Sequence, residues 1–106
     1  MFDENQEEMI KKIQKLSEEM QKIHQELSRI EVEGSSGGGI VKCFVRASDG
    51  KILRFETEEK SKDTTLGINI NVLCDLMRVA ANNAIEKAEK IKEEAMKQIA
   101  TSIPLV

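Results

Sequence analysis

Seven apolar residues, Met9, Ile13, Leu16, Met20, Ile23, Leu27 and Ile30, recur at alternating steps of four and three, an unbroken heptad stripe. This spacing predicts a continuous amphipathic helix over residues 4–30. At about 1.5 Å per residue such a helix is roughly 40 Å long, longer than any strand a chain of this size offers. One end of it should therefore overhang the sheet on which it packs.

The helix has a proper start. Asp3 can cap it, with Gln6 three residues on, and Glu4, Glu7 and Glu8 place negative charge where the helix dipole favours it. With Ile13, Met20 and Leu27 at heptad position a, the cations Lys15, Lys22 and Arg29 share position c, and Lys11 and Lys12 lie near the start of that line. It reads either as a solvated face balanced by Glu18, Glu19 and Glu26 or as a stripe that faces phosphates. A parallel zipper with a second copy is disfavoured, because Glu19 would face His24 and Glu26 would face Glu31. The stripe is expected to pack on a second helix of the same chain. His24, the only histidine, then lies beside the seam as a packing or surface residue.

Length and composition set the scale. With 106 residues, 40% of them apolar and 33% charged, the chain is read as one small domain over residues 1–106, and only Phe2, Phe44 and Phe55 supply aromatic bulk. No apolar run approaches the ~20 residues of a membrane span, so no membrane partner is expected. The acidic opening Met1-Phe2-Asp3-Glu4 is unlike a signal peptide, and a cytoplasmic location is expected. Cys43 and Cys74 form no C-x-x-C pair and read as small buried hydrophobes. A net charge of −3 excludes a strongly basic domain, so any contact with nucleic acid must come from local stripes of cations.

Past Ile30 the period changes from helical to alternating, and residues 31–57 predict a small antiparallel sheet. Glu31-Val32-Glu33 is a short strand, and Gly34-Ser35-Ser36-Gly37-Gly38-Gly39 reads as a reversal with positive φ angles. That stretch lacks the Gly-Lys-Ser/Thr ending of a P-loop and leads into a strand, so phosphate cradling is not expected. The main strand, residues 40–47, puts Val41, Cys43, Val45 and Ala47 on one face. Asp49-Gly50 turns the chain, and residues 51–57 return. Ile40, Phe44 and Ile52 are left on the outer face, which marks a homodimer interface.

Residues 58–68 form a polar connector, and a second long helix runs over residues 70–102, capped by Asn69 or Asn71. Its apolar line, Leu73, Met77, Ala80, Ala84, Ala88, Ile91 and Ala95, is rich in small residues and allows close approach to the bulky stripe of the first helix. The whole is an α+β, α-β-β-β-α two-layer domain whose two long helices project as arms.

The long heptad helix, the segment Glu31-Val32-Glu33-Gly34-Ser35-Ser36-Gly37-Gly38-Gly39-Ile40-Val41-Lys42-Cys43-Phe44-Val45, and the helix carrying Leu73-Cys74-Asp75-Leu76-Met77-Arg78-Val79-Ala80-Ala81-Asn82-Asn83-Ala84 together resemble the YbaB/EbfC family of nucleoid-associated proteins. The resemblance spans nearly the whole chain. It implies a homodimer joined through the sheet region, whose long helices grip double-stranded DNA in the bacterial nucleoid. The chain departs from many members in ending Ile103-Pro104-Leu105-Val106 instead of in a proline-rich tail.

The residues themselves make a separate case. Lys11, Lys12, Lys15, Lys22 and Arg29 on the first helix and Arg78, Lys87, Lys90, Lys92 and Lys97 on the second can neutralise phosphates in each of two copies, with Lys87, Lys90 and Lys97 the second-helix residues singled out as DNA contacts. Without Trp or Tyr there is no platform for stacking single-stranded bases, and no helix-turn-helix is visible for base readout. The rival class is a non-enzymatic scaffold whose paired arms hold a protein partner. No catalytic triad and no metal-ligand spacing stands out, so neither catalysis, a cofactor nor a small-molecule substrate is expected.

Overall fold

The computed structural model describes residues 3–58 and 69–102. In chain order it contains α1 (Glu4–Leu27), β1 (Glu31–Ser36), a 3-10 turn (Gly37–Gly39), β2 (Val41–Arg46), β3 (Ile52–Thr57) and α2 (Ile70–Ser102). This is the α-β-β-β-α architecture of the α+β class that the sequence predicts. The predicted connector lies outside the described residues except for Glu58.

A capping box starts α1: the Asp3 carboxylate accepts from the Gln6 N–H at 2.8 Å, and the Gln6 side chain accepts from the Asp3 N–H at 3.1 Å. The helix stops at Leu27, before the apolar stripe does. Arg29 and Ile30 donate to the carbonyls of Glu26 and Leu27, both at 3.2 Å, and the Ser28 hydroxyl takes the Gln25 carbonyl at 2.6 Å. Bonds three residues back tighten the last turn and end the helix. Arg29 consequently leaves the cation line, and Ile30, 42% exposed, passes its carbonyl to the Ala47 N–H.

The sheet has the order β1-β2-β3, antiparallel throughout. Val32 lies opposite Val45, Gly34 opposite Cys43, and Cys43 opposite Phe55. Val32, Val41, Cys43 and Val45 form the buried row, as alternation requires. β1 is longer than predicted, because Gly34-Ser35-Ser36 is strand, not loop. The cause lies in α2. A Cβ on Gly34 would collide with the backbone of Ala80 and Ala84, and the Ser36 hydroxyl donates to the Leu76 carbonyl at 2.5 Å. Small residues there let a helix lie directly on a strand. Only Gly37, Gly38 and Gly39, with φ of 62°, 71° and 98°, make the reversal.

Asn69 opens α2 by accepting from the Val72 N–H at 2.9 Å. Ala80, Ala84 and Ala88 are buried on β1 and β2. Beyond Ala88 the helix continues past the sheet beside α1, where Ile99 is buried and Ala95 half-buried. The molecule measures 75 × 19 × 18 Å, so the two helices form an arm on one end of a small sheet.

The apolar stripe of α1 is not closed by α2 as predicted. Leu27 is buried and Ile23 packs on the core, but Met9, Ile13 and Met20 are 45%, 53% and 44% exposed. One neighbouring helix covers one flank of such a stripe. The other flank, with Ile13, Leu16, Met20 and His24, lines an open groove. Cys43 is buried as predicted, and burial pushes its thiol pKa up. Cys74, in contrast, is exposed.

Candidate nucleic-acid interface

Four of the predicted cations, Lys11, Lys12, Lys15 and Lys22, stand on exposed turns of α1. Lys15 and Lys22 keep the predicted common face, with Glu18 between them in sequence, whereas Arg29 sits in the turn that follows. On α2, Lys90 and Lys97 are exposed, and Lys97 lies 3.8 Å from Glu94. Lys92 projects near the β2–β3 turn beside Asp49 and Gly50. Lys87 is different: its Nζ donates to the Glu33 carbonyl at 3.2 Å and so ties α2 to β1. The projecting arm thus gathers Lys11, Lys12, Lys15, Lys22, Lys90 and Lys97 on two neighbouring helices.

These cations are interleaved with acids. α2 alone carries five bases and five acids over residues 70–102. Exposed ion pairs of this kind add little stability, typically under about 1 kcal/mol each. Their side chains can therefore exchange a carboxylate for a phosphate at small cost.

The predicted dimer residues part company. Ile40 precedes β2 in the turn and packs against the core instead of pointing outward. Phe44 remains on the outer face, but the Arg54 guanidinium lies 4.1 Å from its ring centre. Arg54 is held in turn by Glu56 at 3.1 Å and Glu31 at 2.9 Å, hydrogen bonds that push its pKa up, Glu56 first. Lys42 reaches Glu33 at 3.6 Å, and Arg46 reaches Asp49 at 3.0 Å. The outer face is therefore a lattice of ion pairs over one phenylalanine. Ile52, 42% exposed, opens β3 at its margin.

Asn83 is a contact the sequence did not mark. Its side-chain oxygen accepts from the Ser35 N–H at 3.1 Å. Asn83 enters the sequence reading only within the segment that carries the family resemblance, and the placement of β1 reveals its contact. Among the described residues no group of three or more His, Cys, Asp or Glu is placed to hold a metal ion. No helix among them is long and apolar enough to cross a membrane.

Residues 1–103 match the profile of the YbaB/EbfC DNA-binding family. The chain belongs to that family. It is 35% identical over 99 residues to a nucleoid-associated protein of Dictyoglomus thermophilum, covering 92% of this chain and 90% of that one. A nucleoid-associated protein of Legionella pneumophila is 33% identical over 102 residues, which is 96% of this chain and 87% of the relative. Another from Dictyoglomus turgidum is 34% identical over 99 residues. In this YbaB/EbfC member, Gly34 against Ala80 and Ala84 joins the two motifs on which the resemblance rests. In this chain the small-residue end of β1 and the alanine-rich stretch of α2 are thus the two sides of one contact.

Proposed function

We propose that this chain is a nucleoid-associated protein that binds double-stranded DNA, largely through the phosphate backbone, as a homodimer whose helical arms form a clamp. The observation that carries this reading is the arm, on which exposed lysines from α1 and α2 are presented beyond the sheet. Membership in a DNA-binding family supplies the ligand class. Lys11, Lys12, Lys15, Lys22, Lys90 and Lys97 are the phosphate contacts, with Arg29 at the base of the arm. Lys87 contributes by holding α2 to the sheet.

Such binding neutralises phosphates and releases counterions. It reads charge and duplex shape, with no Trp or Tyr for stacking and no helix-turn-helix among the described residues. Two arms that hold one duplex alter its local conformation, and through that the expression of nearby genes. The site of action is the bacterial nucleoid, in the cytoplasm, without catalysis or cofactor.

Binding curves for two unrelated duplexes, measured across a salt series, test the reading. Affinity should fall linearly on a log-log plot, by about 0.9 in slope per neutralised phosphate, and equally for both sequences. A curve flat in salt would overturn it. No binding at all would favour a scaffold whose arms hold a protein partner.

A further inference from the structure

Asp49 is the only Asp or Asn of the chain that a glycine follows. Gly50 has no side chain to shield its nitrogen, so that nitrogen can attack the Asp49 side-chain carbon. The N–Cγ bond forms, a Cγ–O bond breaks, and the amide proton leaves with the departing hydroxyl as water. Water then adds back to the five-membered succinimide. Opening at Cγ restores aspartate, whereas opening at the main-chain carbonyl leaves the chain running through the side chain, as isoaspartate. The exchange is neutral in mass and needs no co-reactant but water.

The β2–β3 turn opposes each requirement of that attack. The carboxyl loses its oxygen as hydroxyl only when protonated, but the Arg46 guanidinium grips it as carboxylate, Nε to Oδ1 at 3.1 Å and Nη2 to Oδ2 at 3.0 Å. The carboxyl must turn to the Gly50 nitrogen, but Oδ1 also accepts from the Lys51 N–H at 3.1 Å, one residue further on. The Gly50 nitrogen must shed its proton, and that N–H donates to the Arg46 carbonyl at 2.7 Å. Arg46 therefore supplies two of the three restraints, one by its side chain and one by its backbone. Asp49 itself is exposed, and nothing lies within 4 Å of a Cβ added at Gly50. Bonds, and not bulk, block the reaction.

We propose that Asp49 is a site of spontaneous isoaspartate formation and that the Arg46 side chain holds the conversion back while the chain is folded. This goes beyond DNA binding and does not depend on it. Conversion lengthens the backbone by one methylene between Asp49 and Gly50. That insertion falls inside the turn closed by the Gly50 N–H to the Arg46 carbonyl and the Arg46 N–H to the Lys51 carbonyl. The turn faces Ala88, Glu89 and Lys92 of α2 across a small cavity. The lesion is thus placed at the base of the arm.

Isoaspartate is counted by methylation with an isoaspartyl methyltransferase and located by peptide mapping. The full chain, as parent, Arg46→Gln and Arg46→Lys, is incubated at neutral pH, folded and in concentrated urea. In urea all three should convert at one rate, at Asp49. Folded parent should convert far more slowly, because only opened turns react. Folded Arg46→Gln should convert about fivefold faster than folded parent, the size of effect an exposed two-point ion pair allows. Arg46→Lys, which keeps the charge and loses the fork, should fall between them and carries the same test should Arg46→Gln not fold. Denaturation midpoints measured in parallel separate opening of the turn from global unfolding. Folded variants that convert no faster than the parent would overturn the role of Arg46. Conversion in urea that spares Asp49 would overturn the site.

Discussion

Gly34 and Gly38 show how differently two glycines of one short segment are used. At Gly34 the demand is for space, because a Cβ meets the backbone of α2. Backbone cannot rotate out of the way, so Gly34→Ala should cost about 3 kcal/mol in chemical denaturation, the upper end of overpacking. At Gly38 nothing lies within 4 Å of an added Cβ, and the demand is a φ of 71°. Gly38→Ala should cost only about 1 kcal/mol in the same assay. Asp49 gives a test in pH. The Arg46 side chain, and after it the Lys51 N–H, hold its carboxyl below the usual carboxylate range. A folded pKa lower than the unfolded value of about 3.9 means that its contribution is complete above that pH and is lost as pH falls through the lowered value. An NMR titration should place the Asp49 midpoint below that of a free aspartate. Asp49→Asn should remove this part of the acid-limb loss of stability.

At the scale of elements, boundaries with a local chemical cause were legible. Asp3 and Gln6 mark the start of α1 and Asp49-Gly50 the β2–β3 turn, while for α2 the sequence offered Asn69 or Asn71 and the bond from the Val72 N–H selects Asn69. Asp3→Ala should cost about 1 kcal/mol and fray the first turn, visible as faster amide exchange there. Boundaries set by neighbours were not legible. The end of α1 depends on bonds from Arg29 and Ile30 that begin the approach to β1, although the heptad runs on to Ile30. β1 continues through Gly34-Ser35-Ser36, a stretch whose composition signals a loop, because α2 lies against it. Ile40 obeys the turn and the core, not the alternation of β2.

For the whole molecule, the arm is the feature that the DNA reading turns on. Lys15→Ala and Lys22→Ala together should reduce the salt slope of duplex binding by about 0.9 for each phosphate no longer neutralised, while the denaturation midpoint stays near that of the parent. Lys87→Ala should act in the opposite way, lowering stability by cutting the tie to Glu33 more than it shifts the salt slope. The candidate interface was visible in sequence as a set of cations at helical spacing. Which of them face solvent, which are tied to the sheet, and that Arg29 leaves the helix became visible only in the fold.

The sequence alone determined the periods: a heptad over residues 9–30, alternation over residues 40–47, an alanine line along α2, and the caps and turns between them. These follow from backbone geometry and near neighbours, and a linear chain displays both. The tertiary structure alone decided that Gly34 meets Ala80 and Ala84, that Met9, Ile13 and Met20 stay exposed, and that α2 takes up the outward-facing backbone of β1 through Asn83 and Lys87. Those outcomes depend on which surfaces meet across 40 and more residues of chain, as Ser36 meets Leu76. Periodicity names the face that must be buried, and only packing selects what buries it.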